Sequence, residues 1–275
     1  MKPNPVFFLF LLFSISTWAS PKALPGAPQV LASVHPLALV AASVVPSENL
    51  RVLLPPGMTP HDFSLRPSDL EQIQNADIII WAGAQTEPYL ASFVRRWPEK
   101  KWLDVSTFAP ADAPKDTHWW FSVRTMIGAQ KALAQIMGKD SSDFASHTQA
   151  ALQEAKRELE PVKERGFFVF HQAYDHFVQA VGLNQLGAFT LSPERKPGAK
   201  TLENIRQQLA AGNAVCVFSE PEYSPALVES VLKGSQAKRG ELDPMAAHIA
   251  LTPNGYAVFI RDLTARFKDC LSANS

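Results

Sequence analysis

From about Gln29 onward, short apolar runs alternate with amphipathic stretches, the rhythm of βα units around a parallel sheet. Runs at 30–34, 51–54, 77–81 and 101–105 read as strands. Between them, 37–45, 68–75 and 88–97 read as helices, the second opening on a capping box of Ser68 and Glu71. The pattern then changes. Residues 122–137 read as a helix, Gly138 interrupts it, and 141–165 continues with Phe144, His147, Ala151, Leu152, Ala155 and Leu159 near helical spacing. Two dozen residues give on the order of 30 Å of rod, enough to cross between lobes, with Pro161 placed to kink its last turn. Afterwards the βα rhythm returns: strands at 167–170, 185–190, 214–219 and 238–242, helices at 172–181, 201–211, 225–233 and 256–271. The expected fold is α/β, with two βα lobes of mainly parallel four-stranded sheets. The lobes span 27–137 and 166–275, and a long rigid helix at 138–165 joins them. No close sequence repeat accompanies this doubled layout.

The first residues follow another logic. Lys2 precedes an apolar run at 6–13, and Thr17-Trp18-Ala19 offers small residues where a signal peptidase cuts. Residues 1–19 read as a signal peptide and Ser20 as the mature start. The run falls short of the roughly 20 residues that a membrane span needs, and no later segment reaches that length. Hydrophobic residues make up 46% of the 275 and charged residues 19%, so a sizeable core is expected and disorder is excluded. Lys plus Arg (26) balances Asp plus Glu (26), so no basic field draws in nucleic acid or anionic lipid. The two cysteines, Cys216 and Cys270, both lie far from the cleavage point, which leaves no thiol for a lipid anchor. An even count in an exported chain favours a disulfide; two buried free thiols are the alternative.

Ligands of open parallel sheets collect at the carboxyl ends of strands, and there the chain places histidines. His61 lies in the loop after 51–54, His118 in the loop after 101–105, and His171 directly after 167–170, while Asp243 follows 238–242. Each lobe supplies two of the four. Three neutral imidazoles and one carboxylate suit tetrahedral Zn²⁺. The separations of 57, 53 and 72 residues match no local zinc motif, so the set rests on topology. His35, His147, His176 and His248 read as structural, with His35 the nearest of them to a strand end. Asp62, Asp175 and Glu220 are candidates to receive the second N–H of a ligating imidazole, and Glu220 is the alternative to Asp243 as fourth ligand.

The residues around these positions resemble the zinc-binding proteins of bacterial metal ABC importers, the ZnuA-like group of the TroA-like (cluster A-I) solute receptors. The resemblance is carried by Val52-Leu53-Leu54-Pro55, Pro60-His61-Asp62-Phe63-Ser64-Leu65-Arg66-Pro67-Ser68-Asp69 and Phe168-Val169-Phe170-His171-Gln172-Ala173-Tyr174. Pro197-Gly198-Ala199, Cys216-Val217-Phe218-Ser219-Glu220-Pro221 and Leu242-Asp243-Pro244 continue it over nearly all of the mature chain. It implies two lobes joined by a rigid helix with one metal in the cleft between them. The family's metal histidines fall on His61, His118 and His171, and its carboxylate region on Asp243. Manganese and iron members tend to carry glutamate where His171 stands, so the imidazole implies zinc. Cys216 and Cys270 fall where related zinc receptors tie a strand to the last helix. Two features depart from the family: 107–117 has Asp112 and Asp116 but no histidine-rich loop, and no proline follows Ser122.

The function expected is that of a monomeric periplasmic protein, not an enzyme, that captures Zn²⁺ as cargo and delivers it to the membrane permease of an ABC importer. A zinc metalloenzyme with an open coordination position is the competing class. A receptor for manganese or another divalent metal, or a metal-binding adhesin, would use the same scaffold.

Overall fold

A computed structural model describes residues 26–272 apart from 194. The proposed signal peptide and its cleavage point lie outside the described residues. Two four-stranded sheets, all of whose pairings are parallel, form two α/β lobes. The first contains β1 (Val30–Ala32), β2 (Leu50–Val52), β3 (Ile78–Trp81) and β4 (Lys101–Asp104) in the order β2-β1-β3-β4. The second contains β5 (Gly166–His171), β6 (Gln185–Thr190), β7 (Ala214–Ser219) and β8 (Lys238–Glu241) in the order β6-β5-β7-β8. One layout is thus used twice. Central strands β3 and β5 are buried along their whole length, as expected where helices cover both faces of a parallel sheet. At the second sheet's edge, β8 is the charged Lys-Arg-Gly-Glu run and stays largely exposed.

The first-lobe helices are α1 (His35–Ala41), α2 (Pro67–Asn75) and α3 (Ala91–Arg96), followed by α4 (Val123–Met137). The capping box lies two residues earlier than expected, on Arg66 and Asp69 instead of Ser68 and Glu71. Pro67 takes the first helical position, so Ser68 lies inside the helix, and Asp69 closes the terminus by accepting from the Arg66 backbone N–H at 2.8 Å and from its guanidinium at 3.0 Å. Ser122 caps α4, and Gly138 ends it with φ at 62°, a left-handed conformation that favours glycine.

The joining helix is shorter than its sequence pattern. α5 runs Ser142–Leu159, about 27 Å at 1.5 Å per residue, and Pro161 falls in a separate 3-10 turn, Glu160–Val162. It does not cross alone. Its buried stripe of Phe144, Thr148, Ala151, Ala155 and Leu159 packs along α9 (Gly255–Ser272), and the rims are joined by Arg261–Glu154 and Lys268–Glu158 ion pairs, each at 2.9 Å. Because α9 also packs on α1, β7 and β8, a helical layer connects the lobes. The remaining helices, α6 (Asp175–Val181), α7 (Ala199–Ala210) and α8 (Ala226–Leu232), belong to the second lobe.

One apolar cluster runs from Leu31 and Ile79 in the first sheet through Trp120, Phe121 and Tyr256 to Phe167, Phe218 and Phe267 in the second. A smaller cluster containing Phe168, Phe189 and Val217 lies under α7 and α8. Cys216 in β7 and Cys270 in α9 form a disulfide, which closes a separation of 54 residues. No helix among the described residues is long and apolar enough to cross a membrane.

Candidate metal centre

In each sheet the chain leaves the first strand on one side and returns on the other, so a crevice opens between β1 and β3 and between β5 and β7. Glutamates occupy both crevices. In the first lobe Glu87 is fully buried and accepts from Ser33 Oγ at 2.8 Å, Ala82 N at 2.6 Å and Tyr89 Oη at 2.8 Å. Burial pushes its carboxyl up to about 7 despite those three donors. In the second lobe Glu220 follows β7 directly, and burial pushes it up to about 8.

Three histidines meet over these crevices. His171 is the last residue of β5, and its backbone is fixed by parallel pairing opposite Thr190. His118 immediately precedes the 3-10 turn Trp119–Phe121, whose three side chains are buried and hold the backbone against the core. His61 lies in the 53–66 loop between β2 and α2, which Phe63 anchors by packing edge-on against Tyr89 at 5.3 Å. The Nε2 atoms of His61 and His118 are 3.1 Å apart, and those of His118 and His171 are 3.3 Å apart. One ligand nitrogen from each of the three lies within 4.8 Å of the others. His118 and His171 are 4% and 2% exposed, so solvent competes little for them, while His61 is half-buried at the mouth.

Carboxylates orient two of the rings. Asp116 Oδ1 is 2.6 Å from Nδ1 of His118 and also accepts from the His118 backbone N–H at 2.9 Å. Glu220 places both oxygens 2.7 Å from Nδ1 of His171, and Tyr174 Oη donates to Glu220 at 3.0 Å. With Nδ1–H given to a carboxylate, each Nε2 presents a lone pair. Burial alone would raise the Asp116 carboxyl, but the hydrogen bond and charge of His118 outweigh it and hold it below the ordinary carboxylate value.

Asp243 is not gathered with the histidines. Its carboxylate accepts from the backbone N–H of Met245 at 2.9 Å and of Ala247 at 2.8 Å, and lies 3.1 Å from Nδ1 of His248. Of the four residues expected from strand ends, the three histidines are the ones whose ligand atoms group together among the described residues. Glu220, the other candidate fourth ligand, braces His171 from behind. Asp62 lies 3.5 Å from Tyr223 Oη, and Asp175 donates its backbone N–H to Asp116 Oδ2 at 3.1 Å. Of the other histidines, His35 bonds the Ile249 carbonyl at 2.9 Å and His176 the Asp116 carbonyl at 2.7 Å. His147 is exposed on α5. Asp116 and Tyr174 are contributors that reading strand ends misses. The signal for Asp116 was a carboxylate two residues before a candidate ligand.

Two parallel α/β lobes that bring buried imidazoles together in a shared cleft define a metal-binding receptor of the two-lobed kind. A family model described as "Zinc-uptake complex component A periplasmic" matches residues 30–270. The chain belongs to this family, the ZnuA family. It is 33% identical over 313 residues to a high-affinity zinc uptake system protein ZnuA of Yersinia pestis, covering 95% of this chain and 96% of that one. It is 30% identical over 288 residues to the corresponding Haemophilus ducreyi protein, covering 88% and 93%. Among solved structures, a zinc-bound ZnuA deletion mutant superimposes with TM-score 0.77 at 21% identity, over 90% of this chain and all of that one (100%). The periplasmic zinc binding protein TroA of Treponema pallidum gives 0.76 at 19% identity, over 90% and 99%.

Proposed function

We propose that this chain is a periplasmic receptor that holds one Zn²⁺ between its lobes and hands it to the membrane permease of an ABC importer. Residues 1–19 direct its export and are cleaved, and the mature chain acts as a monomer without catalysing a reaction. His61, His118 and His171 hold the ion through Nε2. Asp243 contributes negative charge beside the site, close enough to help raise the Glu220 carboxyl, but no bond to the ion.

The observation that carries this reading is the spacing of the nitrogens. Two ligands about 2.05 Å from a tetrahedral ion stand about 3.3 Å apart, and the two Nε2 separations are 3.1 and 3.3 Å. Uncharged nitrogen donors favour zinc over manganese, which prefers oxygen. In this reading the lobes are 27–137 and 166–275, with 138–165 between them.

The test is isothermal titration of Zn²⁺ into the parent and into His61→Ala, His118→Ala and His171→Ala. Each substitution is expected to weaken binding by orders of magnitude while the metal-free protein stays folded by circular dichroism. Three variants that bound like the parent would overturn the site. Competition between Zn²⁺ and Mn²⁺ for the parent is expected to favour zinc.

A further inference from the structure

A single turn of the second lobe touches the histidine-bearing segments of both lobes. It spans 220–223, immediately after β7, and is closed by the Tyr223 backbone N–H donating to the Glu220 carbonyl at 3.2 Å. Glu220 at its start reaches His171 within its own lobe, at 2.7 Å. Tyr223 at its end reaches the other way. Its ring stacks on Phe170, centroids 5.1 Å apart and planes 28° from parallel, and its hydroxyl crosses to the first lobe. There Oη is 3.2 Å from Thr59 Oγ1 and 3.5 Å from Asp62 Oδ2. The protons balance when Thr59 donates to Tyr223 and Tyr223 donates to the Asp62 carboxylate.

Thr59 and Asp62 flank His61 in the chain. His61 is half-buried in a 53–66 connection that contains Pro55, Pro56 and Gly57, the last with φ at 77°. Phe63 packs this loop against Tyr89 of its own lobe.

We propose that the Tyr223 hydroxyl is a latch that holds the His61 loop across the cleft, making Tyr223 a positioning residue that sets how fast a bound ion leaves. The proposal rests on the reading of the three histidines as ligands. With the latch intact, His61 stays over the ion. With it open, the loop carries His61 away first and leaves an ion held by two imidazoles, which dissociates more readily. The stacking on Phe170 does not involve the hydroxyl, so Tyr223→Phe removes the latch and keeps the packing.

Zinc-loaded protein mixed in a stopped-flow instrument with an excess of chromogenic chelator reports the release rate. Tyr223→Phe is expected to release zinc about two- to tenfold faster, the range for one ordinary hydrogen bond, with the association rate unchanged. Thr59→Val is expected to accelerate release similarly, and the double variant to be no faster than the faster single. Co²⁺-loaded Tyr223→Phe should retain the parent's absorption bands, and its metal-free unfolding midpoint should match the parent's. A purely structural role would lower that midpoint and leave the release rate alone. Equal release from Tyr223→Phe and parent overturns the latch while the three-histidine site stands. A parent that takes up no zinc overturns both.

Discussion

Asp116 Oδ1 stands 2.6 Å from Nδ1 of His118 and also accepts the His118 backbone N–H, so one carboxylate sets both the ring's tautomer and its main chain. In the second lobe, Glu220 braces the His171 ring in the same way. Partners of this kind are typically worth 10–100-fold in metal affinity. Asp116→Asn and Glu220→Gln should each weaken Zn²⁺ binding by about that factor, measured by competition against a chelator of known affinity. Parent-like affinity in both would show that the carboxylates do not orient the rings.

Asp243 provides the contrast. Its oxygens already serve Met245, Ala247 and His248. Asp243→Asn should therefore change zinc affinity by less than about tenfold, whereas losing a ligand costs several powers of ten. A calorimetric loss matching that of His171→Ala would make Asp243 a ligand.

Glu87 predicts a pH dependence with a definite sign. Its carboxyl lies at about 7 in the folded chain against an ordinary 4.5. Between those values the native state keeps a proton that the unfolded state has lost, so stability falls as pH rises. The contribution is fully present below about 4.5 and gone once pH has climbed through about 7. Glu87→Gln cannot ionise. The metal-free variant should lose less of its thermal midpoint than the parent between about pH 4.5 and about pH 7.5. Glu220 and Glu222, which burial raises to about 8 and about 7, add slopes of the same sign. Parallel parent and variant curves would show that Glu87 is ionised throughout.

The disulfide between β7 and α9 closes a loop of 54 residues. On the chain-entropy model that constraint is worth about 4 kcal/mol. The double variant Cys216→Ser, Cys270→Ser should unfold at a correspondingly lower urea midpoint. An unchanged midpoint would mean that packing around Phe218 and Phe267 suffices without it.

Much of this was legible along the chain because parallel strands buried on both faces must be continuous apolar runs, as Ile78–Trp81 and Gly166–His171 are. Strand ends then pointed to His61, His118 and His171. Element boundaries were harder to read. Ser68 and Glu71 look like a capping box, but Pro67 with its fixed φ begins that helix one residue earlier and Asp69 takes over the role. Asp243 also follows a strand, but the hydrogen bonds that it takes from Met245, Ala247 and His248 in its own turn are invisible in a spacing argument. Asp116 escaped because its partner's tautomer, not its own position at a strand end, gives it a role.

The unbroken apolar interior, from Leu31 through Trp120 to Phe267, also constrains how such a molecule can unload. Swinging the halves apart like a clamshell would wet that seam at roughly 25 cal/mol for every Å² exposed. Discharge by loosening a few surface residues avoids this cost. Crystals grown with and without the ion should superimpose closely everywhere except around the mouth.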